Sequence, residues 1–131
     1  MIVSLLIHCC KDLDSSTRKF ACFAVGNAAF HSDSLYPHLA PVVPALVTAL
    51  GDLEEKTRAN AAGALGNLVR NGGLLCRELA THHAVSALMG LAGGDTAPSP
   101  RRIALFSLGT CCGYEICRES LYEDLAWSGG G

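Results

Sequence analysis

The sequence predicts an all-α fold, a right-handed α-α superhelix of about three repeats, truncated at both ends. Three observations predict it: self-similarity at a spacing near 40 residues, apolar positions at helical period, and recurring helix-start and helix-stop residues. Self-similarity comes first, because a repeat missed at this step misassigns every later element. Thr17–Ala28 (TRKFACFAVGNA) aligns without gaps on Thr57–Leu68 (TRANAAGALGNL) at an offset of 40 residues. Arg101–Thr110 (RRIALFSLGT) follows 43 residues beyond the second copy. Arg18, Arg58 and Arg101 coincide, as do Ala21, Ala61 and Ala104, and then Gly26, Gly66 and Gly109.

The elements follow in chain order. Ile2–Cys10 occupies the slot of a second, shorter helix that recurs as Val43–Leu50 and Val85–Leu91. Asp14, Ser15 and Ser16 are cap candidates for the first long helix, and Asp52 for the second, since short oxygen-bearing side chains accept from the orphan N–H groups of a first turn. Pro37, Pro41 and Pro44 bracket a helix start. In the second long helix Ala61, Leu65, Leu68 and Val69 fall on one face. Asn71-Gly72-Gly73 stops it, because glycine enters the left-handed region at little cost. His82-His83 begins a helix as a cap or surface pair. Pro98 and Pro100 open the third long helix, where a missing N–H costs little. Leu121–Trp127 reads as a repeat begun and not finished. The expected domain is 1–127, with repeats at about 1–32, 33–72 and 73–113 and a partial one at 114–127; 128–131 is read as a flexible tail. Neither end carries the polar cap that a terminal repeat needs, which reads as a piece of a longer array.

Composition narrows the function classes. A length of 131 residues suits one domain, and half of them are hydrophobic with only 6% aromatic, so the core is built of small side chains at close helix contacts. A net charge of −2 argues against a nucleic-acid surface, which needs clustered Lys and Arg, and against an anionic membrane. Seven cysteines without a CxxC pair or a signal peptide point to reduced thiols and an intracellular, cytoplasmic protein. No apolar run reaches the roughly 18 residues that span a bilayer.

A unit of short, medium and long helices near 40 residues, with Ala61–Leu68 (AAGALGNL) as its most specific stretch, resembles the armadillo repeat; two-helix HEAT repeats are the neighbouring alternative. Thr17–Leu121 further resembles the carboxy-terminal repeat region of Fused-type serine/threonine kinases. That resemblance implies a tail associated with Hedgehog signalling and with building motile cilia. The chain itself has no glycine-rich phosphate loop, HRD or DFG, so no kinase activity is expected of it.

In armadillo proteins the long third helices line a concave groove, where a Trp and an Asn four residues on face an extended peptide. Carried onto this chain, the Asn positions are Asn27, Asn67 and Thr110, and the aromatic positions are Phe23, Gly63 and Phe106. One turn earlier lie Phe20, Asn60 and Ile103. The tentative groove is thus Phe20, Phe23, Asn27, Asn60, Asn67, Phe106 and Thr110, without a Trp at any platform position. An Asn amide both donates and accepts, which suits a peptide backbone or, equally, a neighbouring turn or repeat. Gly26, Gly66 and Gly109 suggest close helix–helix approach. Arg18, Arg58 and Arg101 sit where the helix dipole does not favour a cation. They read either as inter-repeat salt bridges to Asp12, Asp14, Asp52 or Glu55, or as a basic strip with Lys19 and Arg102 for an acidic partner.

No metal or cofactor is expected. His8-Cys9-Cys10 and Cys111-Cys112 with Cys117 invite zinc, but adjacent helical cysteines point about 100° apart and do not converge on one ion. Cys22, Cys111 and Cys112 lie in apolar helical runs, where thiols act as small hydrophobes. The expected function is a non-catalytic scaffold with a protein or peptide partner, including other domains of a parent chain. The alternative is a purely structural segment of a longer solenoid, and a hydrolase or metal enzyme ranks last.

Overall fold

The computed structural model describes residues 2–130, with side chains through Ala126; the tail expected at 128–131 lies outside the residues described in full. Nine α-helices make up the described chain, without a strand. They are α1 (Ile2–Cys10), α2 (Ser15–His31), α3 (Tyr36–Leu39), α4 (Val43–Ala49), α5 (Glu55–Val69), α6 (Cys76–Thr81), α7 (Ala84–Gly94), α8 (Pro98–Cys111) and α9 (Glu115–Gly130). The short first helix of the middle unit is α3, flanked by 3₁₀ turns at Asp33–Leu35 and Ala40–Val42, and prolines open α3, the second of these turns and α4. Pro98 is the first residue of α8. Beyond α5, Gly72 and Gly73 take φ of 84° and 68°, the left-handed stop expected there. His83 precedes α7 with φ of 56° and makes no side-chain cap bond.

The long helices stack in order: α2 packs on α5, and α5 on α8. Each also rests on a shorter helix, α1 under α2, α4 under α5 and α7 under α8. Lying between two long neighbours, α5 is covered on most of its circumference: Ala59, Ala61, Ala62, Ala64, Leu65, Gly66, Leu68 and Val69 are all buried. Alanine and glycine keep its diameter small enough for both neighbours to approach. The wider core adds Val25, Val42, Val43, Leu46, Leu79, Val85 and Leu88. Tyr36 is buried too, and its hydroxyl donates to the Asn67 carbonyl at 2.8 Å, tying α3 to the end of α5. Among the described residues α9 packs against α6 and α7, where Asp124 accepts from the Ser86 hydroxyl.

A ladder of arginines joins the units. Arg18 Nη1 donates to the carbonyls of Asp12 and Leu13, at 2.9 and 3.1 Å, and its Nε to Asp52 Oδ2 at 2.7 Å. Arg58 repeats the pattern on Asp52 and Leu53, at 2.9 and 3.1 Å, and on Asp95 Oδ2 at 2.6 Å. In each case Nη2 reaches the second carboxylate oxygen, so both pairs are bidentate. Asp52 and Asp95 also accept the N–H two residues on, from Glu54 and Ala97. Asp52 is therefore not the α5 cap, and the expected inter-repeat salt bridge holds for Arg18. The partner of Arg58 is Asp95, which spacing alone did not single out, while Arg101 is exposed. Burial pushes the Asp52 carboxyl up, but the Arg18 guanidinium and the Glu54 N–H outweigh it and hold it below its ordinary range. Arg58 lowers Asp95 likewise.

The two ungapped copies differ at their caps. Asp14 caps α2, its Oδ2 accepting both the N–H and the hydroxyl of Thr17 at 2.9 and 2.8 Å. Glu54 stands at the matching position with nearly the same backbone angles, and among the described residues it makes no cap bond and the buried Thr57 hydroxyl has no partner. The repeated glycines also differ. A Cβ on Gly66 would lie 2.9 Å from Ser107 Cβ and 3.2 Å from its Cα, where the Ser107 hydroxyl bonds the Ala62 carbonyl. A Cβ on Gly26 would meet Ala64 at an ordinary 3.6 Å, and one on Gly109 nothing within 4 Å. Close approach thus explains Gly66 alone of the three.

Glu54→Asp is expected to supply the missing cap and to raise stability by about 1 kcal/mol, read by thermal melting. Gly66→Ala lowers the melting temperature, whereas Gly109→Ala raises stability by about 1 kcal/mol through helix propensity. An Arg58→Ala/Asp95→Ala double-mutant cycle gives a coupling above the ~0.2–1 kcal/mol of exposed ion pairs. Because both aspartates are depressed, the ladder's contribution is complete above the ordinary carboxylate range and is lost as pH falls through the folded values. The coupling should therefore vanish in strong acid while the arginines stay charged.

Candidate functional site

The three long helices share an exposed face. Their parallel stacking brings positions four residues apart, such as Phe23 and Asn27, onto it together with their counterparts on α5 and α8. Two adjoining depressions run along this face. The first, about 180 Å³ between α2 and α5, is lined by Phe23, Asn27, Asn60, Gly63, Asn67 and Ile103 among others. The second, about 320 Å³ between α5 and α8, shares Gly63, Asn67 and Ile103 and adds Arg70, Arg102, Phe106 and Thr110. Six of the seven groove residues expected from the sequence are thus gathered here. Phe20 lies outside both lining sets, exposed and beneath Lys19, whose Nζ stands 4.5 Å from its ring centroid.

The amides divide by role. Asn60 Nδ2 donates to the Lys19 carbonyl at 3.1 Å, and Asn67 Nδ2 to the Gly26 carbonyl at 3.0 Å. Both carbonyls belong to the neighbouring long helix, so these two amides bind unit to unit; that was one of the two expectations for Asn67, whereas Asn60 was expected only as a groove residue. The Asn27 side chain is exposed and forms no hydrogen bond among the described residues. The Thr110 hydroxyl turns back to the Phe106 carbonyl, four residues earlier in its own helix. Phe23 and Phe106 are 54% and 79% exposed, an unusual cost for rings that a covered face would bury. Gly63 forms the floor common to both depressions: a Cβ there would already stand 3.5 Å from Ile103 Cγ2.

Sequence reasoning missed Arg70 and Phe30. The Arg70 guanidinium lies 3.9 Å from the Phe30 ring centroid, a cation–π contact across the α2–α5 junction. The signal was present in spacing, since Arg70 follows Asn67 by three residues and shares its face.

The thiols lie elsewhere. Cys10, Cys22, Cys76, Cys111 and Cys117 are buried, whereas Cys112, expected to act as a small hydrophobe, is exposed past the end of α8. A hydrogen bond with Cys111, aided by Cys76, draws the Cys117 thiol down to about 7 against the upward push of burial, and burial pushes Cys76 up to about 12. At 1% exposure Cys117 offers no surface to a substrate. Among the described residues no group of three or more His, Cys, Asp or Glu is arranged to hold a metal, and no helix is long and apolar enough to cross a membrane.

Comparison with known proteins gives the same architecture. Residues 15–68 match the HEAT-like repeat family. The chain is 40% identical over 107 residues, 82% of its length, to serine/threonine-protein kinase 36 of Pongo abelii, and equally to that of Mus musculus. It is 46% identical over 79 residues to serine/threonine-protein kinase TIO of Arabidopsis thaliana. The chain spans 8% of the length of the first two kinases and 6% of the third. An engineered protein solved by the Northeast Structural Genomics Consortium superposes with a TM-score of 0.86 at 20% identity, over 94% of this chain and 51% of its own. A designed armadillo repeat protein in complex with the peptide (KR)4 does so at 0.83 and 21%, over 92% of this chain and 52% of its own. The helical-repeat fold contains no kinase catalytic domain; the chain carries a HEAT-like repeat over residues 15–68, has an armadillo/HEAT-type fold and has homologues among the Fused-type kinases.

Proposed function

We propose that this chain is a protein-interaction module, the regulatory tail of a Fused-type kinase acting in Hedgehog signalling and motile cilium assembly. Its repeat domain is residues 1–127, with unit boundaries near 32, 72 and 113, and its setting is the cytoplasm, with cilium and nucleus as further compartments. The observation that carries the reading is the continuous face of α2, α5 and α8, where two adjoining depressions leave Phe23 and Phe106 open to solvent. The peptide held by the designed armadillo neighbour supports the same use of such a fold. The contact residues are Phe20, Phe23, Asn27, Asn67, Phe106 and Thr110, with Asn60 bracing α2 against α5 beneath them.

A second reading is favoured by the committed amides of Asn60 and Asn67: a purely structural segment that packs against its own parent protein. The two separate in a quantitative capture experiment with the module as bait. Phe23→Ala with Asn27→Ala, and separately Phe106→Ala, should each deplete captured partners several-fold without lowering the melting temperature. Capture that ignores both changes, yet disappears with the other domains of the parent chain, would sink the groove reading.

A further inference from the structure

We propose that the depression between α5 and α8 seats an acidic peptide segment bearing an apolar side chain. The inference rests on reading this face as a binding groove and concerns what fills it. Its floor is apolar, with Ile103 and the largely exposed Phe106, and its polar groups are Asn67, Thr110 and the guanidinia of Arg70 and Arg102. Among the described residues neither lining set of the groove contains an Asp or a Glu. Glu54 and Glu55 line a separate depression, in company with Lys19 and Lys56.

The contrast with the ladder makes the charge meaningful. Arg18 and Arg58 are neutralised bidentately by Asp52 and Asp95. Arg70 and Arg102 are exposed and have no carboxylate within ion-pair distance among the described residues, so the groove is locally cationic on a chain whose net charge is −2. Arg70 is held in place by the Phe30 ring, which orders the guanidinium without consuming its donors. Arg102 lies near the amino end of α8, where the helix dipole adds to the positive field. Carboxylates would meet the two guanidinia, which suit their planar geometry, while an apolar side chain covers Phe106. A run of Lys and Arg would be repelled from the same place, the opposite of the (KR)4 complex of the designed neighbour.

The test is fluorescence anisotropy on the whole chain with two labelled peptides, glutamates around a central Leu-Phe pair and the same peptide with lysines. The acidic peptide should bind more tightly as salt falls. Arg102→Glu should weaken it by about tenfold or more. Phe106→Ala should weaken it as well, and Arg77→Glu, an equal charge change on α6, should leave it unaltered. Equal loss with Arg77→Glu would mean diffuse attraction and overturn the proposal. Binding of the lysine peptide that is lost with Phe106→Ala would overturn the acidic occupant and leave the groove standing. If neither peptide binds, the acidic occupant falls, and the groove itself falls only if partner capture also ignores Phe23→Ala with Asn27→Ala. Melting curves of each variant establish that the fold is intact.

Discussion

The bidentate pairing of each ladder arginine with the aspartate of the next unit is the constraint on which the stacking depends. One guanidinium grips two carbonyls of the loop before its own helix and the carboxylate before the next long helix. It therefore fixes how far each long helix is advanced along its neighbour. With that advance set, Asn60 and Asn67 find carbonyls one helix away, and Ser107 slides over the bare backbone of Gly66. A cation near the start of a helix is unfavourable by itself, and here the adjacent carboxylate reverses the balance.

Most of the architecture was legible because a repeat is written several times. The coincident Arg, Ala and Gly positions, the Asn-Gly-Gly stop and the proline starts each name their element with a local physical reason. What stayed illegible was non-local or depended on small differences. Asp52 has the chemistry of a cap, and nothing nearby reveals that its oxygens serve Arg18 and the Glu54 N–H instead. Gly26, Gly66 and Gly109 look equivalent in alignment, yet only at Gly66 would a methyl group collide with the neighbouring helix. The groove residues followed from register, since every residue at one repeat position shares a face. Whether an amide on that face turns to solvent or to the next helix depends on interhelix distances that spacing does not carry.

The face that results combines a rigid scaffold with exposed rings. Exposed phenylalanines are costly on a surface, and one lines each of the two adjoining depressions, Phe23 in the first and Phe106 in the second. Gly63 puts no side chain at the junction of the two depressions, where Ile103 approaches instead, and Phe23 and Phe106 frame it from the flanking helices. The homology to the Fused-type kinases covers 8% of the length of two of them and 6% of the third.

The ladder also determines where the chain can change length. Each arginine follows the aspartate of its own unit by six residues in both complete rungs. The distance onward to the next aspartate is 34 residues in one case and 37 in the other. The three additional residues leave the geometry of the rung unaltered, because they fall outside the short interval between aspartate and arginine. Insertions between the shorter helices are thus absorbed as loop. A single residue added in the helical part of that interval, between the first residue of α2 or α5 and its arginine, would rotate the groove face of the same helix by about 100° relative to the arginine anchor.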